Sequence, residues 1–530
     1  MKRFWQKVVG GVSAQPQDAA QAAAVADVLG RTAGVAVYPE SVAAEGGALL
    51  ALARRGIEKS VLAVWPAGKT PAVARRLKAQ ALEIDMDGTD VALMEEPCSP
   101  DVAAALRQIF PWTAPQLVAG RPSIGLGDRL GLATPGHVRA VRGTGYVPML
   151  AQQSIREMTR TGRSPQQVID DATWGVFQTG FRTGFGADAD HLKTAEDIDR
   201  CAAAGFKFFT LDPGDHVDNA AATDSPGVLA GKFDALPWAA LGTTAADSRR
   251  EYASCRIDMG GGEPLAFTDV DLHRAGAKYG RAVAHAAAMY RHLAGRLGAG
   301  TFELEVSVDE TDTPTSAAEH YYVARELARL GVRWVSLAPR LVGRFEKGVD
   351  YIGDLADLER TFAAHLAVAD QVGGYKISLH SGSDKFSVYP VAARHGGRRV
   401  HVKTAGTSYL EALRVIAAKE PLLFREILDF ARCRYEADKT TYHVSANVDR
   451  VPIACVLADW HLPGLLDAFD GRQVLHVTYG SVLTAGGGTQ FRGRLLTALQ
   501  THEEAYAEVL AKHIGRHLAP FLTSAPELRA

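Results

Sequence analysis

Residues 378–386 read Ser-Leu-His-Ser-Gly-Ser-Asp-Lys-Phe and follow the apolar run Tyr375-Lys376-Ile377. A strand that changes abruptly to His, Ser, Gly, Asp and Lys is seldom needed for packing, and it is what a barrel enzyme uses where strands meet substrate. His380 could bind a metal and Lys385 an anion, while Gly382 would let the backbone approach a ligand closely.

Other segments end in the same manner. Gly184–His191 runs Gly-Phe-Gly-Ala-Asp-Ala-Asp-His, and Phe209–His216 runs Phe-Thr-Leu-Asp-Pro-Gly-Asp-His. In 302–310, Glu303, Glu305, Ser307 and Asp309 share one face by the two-residue repeat of a strand, and Leu304, Val306 and Val308 take the other. Carboxylates facing a barrel lumen are costly to bury unless paired or functional. The bland alternative is an edge strand with its polar face in water.

Histidine and carboxylate at separate strand ends suit a divalent cation such as Zn, Mn, Ni or Co, with positions left for substrate oxygens. The ligand candidates are His191 and His380, with an acid from Glu305, Glu346 or Asp350. Lys403 and the following Thr404-Ala405-Gly406-Thr407-Ser408 could hold a carboxylate or phosphate at a helix start. Gln152 and Gln153 could meet hydroxyls, although a solvated surface is the simpler reading of them. His476-Val477-Thr478-Tyr479 closes a further apolar run. The glycines of 125–131 are spaced GxGxxxG rather than GxGxxG, no clear strand precedes them, and Pro135 follows, so a dinucleotide loop is not expected.

The elements that must position these groups alternate. Strand-like runs lie at Phe206–Leu211, Phe302–Val308, Val332–Leu337, Tyr375–Leu379, Arg399–Val402 and Val474–Val477, with weaker ones at Tyr146–Leu150, Gly180–Ala187 and Tyr442–Ala446. Helical patterns such as Ser316–Leu330 and Asp354–Val372 separate several of them. This predicts an α/β fold, a (β/α)8 TIM-like barrel over 119–525 with an insertion around 212–265 at its mouth; an open doubly wound sheet is the alternative. Residues 1–118, Ala-rich with helical runs at Ala19–Leu29 and Pro71–Leu82 and apolar runs at Val35–Tyr38 and Val61–Trp65, predict a small N-terminal α/β domain.

The 530-residue chain is 47% hydrophobic and 22% charged, with a net charge of −2. No basic field invites nucleic acid, and no apolar run is long enough to span a membrane. The basic start Met1-Lys2-Arg3 gives way to polar residues too early for a secretory signal. Five cysteines without CxxC spacing fit a reducing cytoplasm rather than a disulfide framework.

Seven segments together closely resemble the bacterial tagaturonate epimerases: GFGADADH (184–191), ELEVSVDET (303–311), EKGVDY (346–351), ISLHSGSDKFSVYP (377–390), HVKTAGTSYLEA (401–412), YHVSA (442–446) and HVTYGS (476–481). The resemblance spans roughly residues 120–520. It implies an isomerase of hexuronate catabolism that interconverts D-tagaturonate and D-fructuronate with a divalent metal. Neutral ketohexoses such as fructose and tagatose are further candidate substrates. By the resemblance Asp190 is the proton acceptor, Glu305 the proton donor, and His191 and His380 metal ligands, with Glu346 as third ligand and Asp350 as its alternative. Lys385, Lys403 and Gln153 are the expected substrate contacts. The partner is a small sugar acid, and a homo-oligomer is compatible with the sequence.

The two sugars differ at a carbinol two bonds from the ketone carbon, whose C–H the carbonyl does not acidify. Inversion there requires either retro-aldol cleavage and recombination or hydride transfer to a nicotinamide. Without a dinucleotide loop, the metal-assisted retro-aldol route is expected. Competing readings are a metal-dependent ketose isomerase or aldolase on the same barrel, and an inactive sugar-acid sensor.

Overall fold

The computed structural model describes residues 19–523 apart from 69, 79, 87 and 260–263, so the basic stretch Met1–Lys7 lies outside the described residues. Its main sheet is parallel throughout. In chain order the strands are β1 (Ser123–Gly125), β2 (Val147–Met149), β3 (Asp188–Leu192), β4 (Phe208–Leu211), β5 (Glu303–Val308), β6 (Ser336–Pro339), β7 (Lys376–Leu379) and β8 (Val400–Lys403). Each of β3 to β8 pairs with the next, and β8 pairs with β1, which pairs with β2. A ninth two-residue strand, Gln153–Ser154, edges β3. The sheet is therefore curled. Its edges meet at Gly186, just before β3, which bridges Met149 of β2; Leu150 donates its N–H to the Gly186 carbonyl at 3.1 Å.

The strands are short, buried runs, as expected where helices cover a parallel sheet. The expected run Val332–Leu337 shares only Ser336 and Leu337 with β6, and Gly180–Ala187 ends before β3 begins at Asp188. Val474–Val477, read as a strand, lies in the helix Phe469–Val477, and Tyr442–Ala446 forms no strand. A short apolar run buried on all sides does not reveal its period. A strand does end at Gly125, where glycine serves loop packing. A Cβ at Gly127 would stand 2.5 Å from the Ala405 Cα.

Residues 36–97 form a six-stranded antiparallel sheet with Ala48–Arg55 and Glu58–Pro66 at its centre. The helices and strands expected there are present in order, as Ala19–Ala33, Ala36–Val37, Glu58–Pro66 and Ala72–Leu77, but four further strands join them in an antiparallel sheet. The Ala-rich strand Ala48–Arg55 carries no β-branched residue, and the helical run expected over Pro71–Leu82 is only Ala72–Leu77. One face of this sheet (Leu50, Leu52, Val61, Ala63) joins the same continuous core as Leu304, Val306 and Ile377 of the curled parallel sheet.

The segment expected over the barrel mouth packs instead against the long helix Asp269–Leu297, through Phe233 and Leu236 beside Gly276 and Gly280. The mouth is covered from elsewhere. Tyr442, His476 and Tyr479 come from the C-terminal helical part, whose own core surrounds Tyr409, Phe424 and Leu475.

Candidate active site

A cavity opens at the C-terminal ends of the strands, lined by Gln152, Asp190, His191, His380, Ser381 and Lys403 among others. This is the end at which parallel α/β sheets bind ligands.

The strands deliver these groups in register. Thr210, Glu305 and Ser336 lie side by side across β4, β5 and β6. Ser336 donates its hydroxyl to Glu305 Oε2. Lys403, at the end of β8, is buried and places its ammonium 2.8 Å from Asp188, 2.9 Å from Asp190 and 2.7 Å from Glu305. Gln152 donates to the second oxygen of Asp190 at 2.8 Å. Asp188 and Asp190 alternate with Ala189, so both point inward.

Adjacent residues of a strand normally point to opposite faces. Asp190 and His191 nevertheless line the same cavity, because β3 slips register between Ala189 and Leu192 and His191 takes a left-handed φ of 52°. Ser381 and Asp384, beyond β7, are also left-handed, at φ 50° and 62°. Strain of this kind collects at functional sites.

His191 Nδ1 lies 3.1 Å from Asp212, which orients the ring and leaves Nε2 directed at the cavity, with Asp190 no nearer than 3.8 Å. The His380 ring stands edge-on to it, centroids 4.9 Å apart. His380 Nε2 is 2.6 Å from Glu305 and Nδ1 is 3.3 Å from Asp309. Ligand atoms of His191, Asp309 and His380 all lie within 4.8 Å of one another.

The electrostatics follow. Burial pushes Asp190 up, but Lys403 and then His191 outweigh it and hold the carboxyl below the usual range. Glu305 is likewise held well below its usual range, against burial, by Lys403 and His380. Burial dominates at Asp188, which rises to about 7 despite Lys403. Burial disfavours charge on His380, yet Asp309 and Glu305 push the imidazole up to about 10. His191 rises to about 8 against burial, chiefly through Asp190. On this wall Asp188, Asp190 and Glu305 outnumber the one ammonium of Lys403, so this side of the pocket favours added positive charge.

A divalent cation fits this donor set. It offers two imidazoles and an acid, with a carboxylate behind His191 in the arrangement that commonly orients metal-binding histidines. The expected third ligands do not join the group. The buried carboxylate of Glu346 accepts from the Ser445 hydroxyl at 2.7 Å and from Gln473 at 3.1 Å, and Asp350 binds Ser387 at the surface. Asp309 stands in their place.

Two expected substrate contacts are also placed elsewhere. Lys385 is fully buried, and its ammonium donates to the carbonyls of Glu346, Val349 and Ser383. It ties two mouth loops together, and burial pushes it down to about 7. Gln153 is buried beside the site, its amide donating to the Gln152 carbonyl at 2.9 Å; Gln152 is the one that lines the cavity. The cavity also contains Arg129 and Arg156, which no local motif announced, and Lys347, Tyr442 and Tyr479, which lie in three of the segments that carry the resemblance. Asp309 did carry a signal, the alternation it shares with Glu305.

Comparison with known proteins identifies the family. The family model described as tagaturonate epimerase matches residues 38–521. A tagaturonate/fructuronate epimerase of Thermotoga maritima is 46% identical over 418 residues, 78% of this chain and 83% of that protein. Crystal structures of the fructuronate-tagaturonate epimerase UxaE of Cohnella laeviribosi superpose with TM-score 0.84. The native form is 36% identical and covers 95% of this chain and 99% of that one. A glycerol complex is 37% identical, with coverages of 94% and 99%. The chain belongs to the tagaturonate epimerase family.

Proposed function

We propose that the protein interconverts D-tagaturonate and D-fructuronate at the mouth of an eight-stranded (β/α) barrel, in the cytoplasm, with a divalent cation held by His191, His380 and Asp309. The observation that carries this is Asp190 and Glu305 held on one buried lysine beside a two-histidine, one-carboxylate cluster. Five free cysteines suit the compartment, and no helix among the described residues is long and apolar enough to cross a membrane.

Asp190, ionised against Lys403, accepts the proton of the hydroxyl on the inverting carbon. The bond between that carbon and its neighbour toward the ketone then breaks. Its electron pair moves into the former carbonyl, giving an enediolate and an aldehyde. The aldehyde turns over and the same bond re-forms on its other face. Glu305 returns a proton to the new alkoxide, resupplied from Asp190 through the Lys403 ammonium, which lies 2.9 Å from Asp190 and 2.7 Å from Glu305. His191, His380 and Asp309 would hold a divalent cation, which would supply Lewis acidity for the developing enediolate. Lys403 keeps both carboxylates in place throughout.

Chelation followed by addition of single metals, with the two uronates followed by NMR, tests this reading. Activity should vanish on chelation and return with at least one metal; turnover that survives complete metal removal would sink it. A fragment trapped as the free aldehyde supports the cleavage route, and a nicotinamide isolated with the protein refutes it.

A further inference from the structure

Opposite the acidic wall, the cavity has a second wall of different character. Lys347 reaches it from the loop after β6. Its ammonium donates to the Ser381 hydroxyl at 2.6 Å, and among the described residues no carboxylate lies within 4.0 Å of it. Beside it stands His476, seated against two glycines. A Cβ at Gly406 would come within 2.0 Å of the His476 ring, and one at Gly348 within 3.2 Å of its Cβ. Both ring nitrogens of His476 are buried and have no hydrogen-bond partner.

Arg129 closes the wall. Its Nε and Nη2 are held by Glu157 at 3.0 and 2.8 Å, while Nη1 is buried and unpartnered. The guanidinium stacks 3.6 Å from the Tyr479 ring centre, and the Tyr479 hydroxyl is buried without a partner as well. The helix Thr407–Lys419 begins at this wall, and no side chain caps Gly406. Buried polar groups are nearly always satisfied. Four unpartnered atoms and an unpaired ammonium around one cavity indicate a ligand that brings oxygen atoms and negative charge.

The acidic wall sets the direction. Asp190, Glu305 and Asp309 would repel a second carboxylate, so an anionic group turns away from them.

We infer that the carboxylate end of the sugar acid is received by Lys347, between His476 and Arg129, while the ketone end faces His191 and His380. This rests on the uronate reading and deepens it. It makes Lys347 the residue that selects acids over neutral sugars. It also gives Lys385 its purpose: by binding the carbonyls of Glu346 and Val349 it holds the loop that carries Lys347.

The test is calorimetric binding of the uronate mixture to the metal-loaded protein, with Lys347→Met and Lys347→Arg beside the natural chain. Lys347→Met should weaken Kd tenfold or more while the near-UV circular dichroism stays unchanged. Lys347→Arg, which keeps the charge, should recover most of that loss. A Lys347→Met protein that binds within threefold of the natural chain overturns the inference, and so does an arginine variant as weak as the methionine one. Turnover is read separately. A natural chain that binds uronate with this lysine dependence but never epimerises it refutes the epimerase reading and leaves the carboxylate site standing.

Discussion

The structure contains two clusters of nearly identical composition. At the mouth, His191 and His380 meet Asp309; about the C-terminal helix Glu503–Thr523, His513 and His517 meet Asp384. In the second cluster the polar atoms are spoken for. Asp384 binds His513 at 2.6 Å, Arg472 at 2.9 Å and the Thr407 hydroxyl at 2.9 Å. His517 Nε2 accepts the Asp384 N–H at 3.0 Å, and its Nδ1 donates to the His513 carbonyl at 3.0 Å. In the mouth cluster, His191 Nε2 faces the cavity without a close partner. Ligand-type residues alone do not make a reactive site. Bonding capacity left unused does, and where the same residues use it on each other they make a clamp.

The sharpest way to break this comparison is to remove one histidine. His191→Asn should lower kcat by about 10³, roughly 4 kcal/mol of barrier, because the proposed cation would lose a ligand and Asp190 the imidazole beside it. Its unfolding midpoint should stay near that of the natural chain, since His191 is partly exposed. Steady-state kinetics on refolding-checked protein read both. Turnover within tenfold of the natural chain would mean that the mouth cluster is not the reactive one.

How far this contrast could be read from sequence depends on the element. The strand β5 was legible because six residues alternate without interruption, and its row of acids led to Glu305 and Asp309. The three residues of β1, Ser-Ile-Gly, hold no period to detect. The acidic wall was visible because Asp190 and Glu305 sit in strands and Asp309 directly follows one. The basic wall was not, because Arg129, Lys347 and His476 lie far apart in the chain and meet only when loops and the C-terminal helices fold over the mouth. Lys385 misled for a related reason: a lysine at a strand end looks the same whether it holds a ligand or a loop. Asp384, its neighbour, was counted with the polar strand end, yet it belongs to the clamp.

A smaller effect, of opposite kind, is expected at that clamp. Asp384→Asn leaves the buried Arg472 without the carboxylate at 2.9 Å, with only Glu411 at 3.2 Å to balance it. Breaking one side of a buried pair costs about 3–5 kcal/mol. Urea unfolding should show that loss, while kcat per folded molecule falls less than tenfold. Stability within about 1 kcal/mol of the natural chain would show that the network is not a clamp.

The smallest effect distinguishes the clusters by pH. Burial, with His513 assisting against Asp384, pushes His517 down to about 3, from an ordinary value near 6.5. The unfolded chain therefore binds a proton at His517 that the folded chain refuses. The stability this group contributes is present above about pH 6.5 and is lost as pH falls toward 3, at about 1.4 kcal/mol per unit once well inside that window. Asp384, held well below its usual range by Arg472 and His513 against burial, adds its own loss only at lower pH, as the unfolded carboxylate protonates. His137, His365 and His401 are also buried and pushed down, to about 4, 4 and 3, so the natural chain's slope is a sum. His517→Gln can still accept the Asp384 N–H but cannot titrate. Between pH 5.5 and 4.5 it should lose about 1.4 kcal/mol less than the natural chain. Urea midpoints at those two pH values decide it, and parallel losses would show that His517 is charged in the folded clamp.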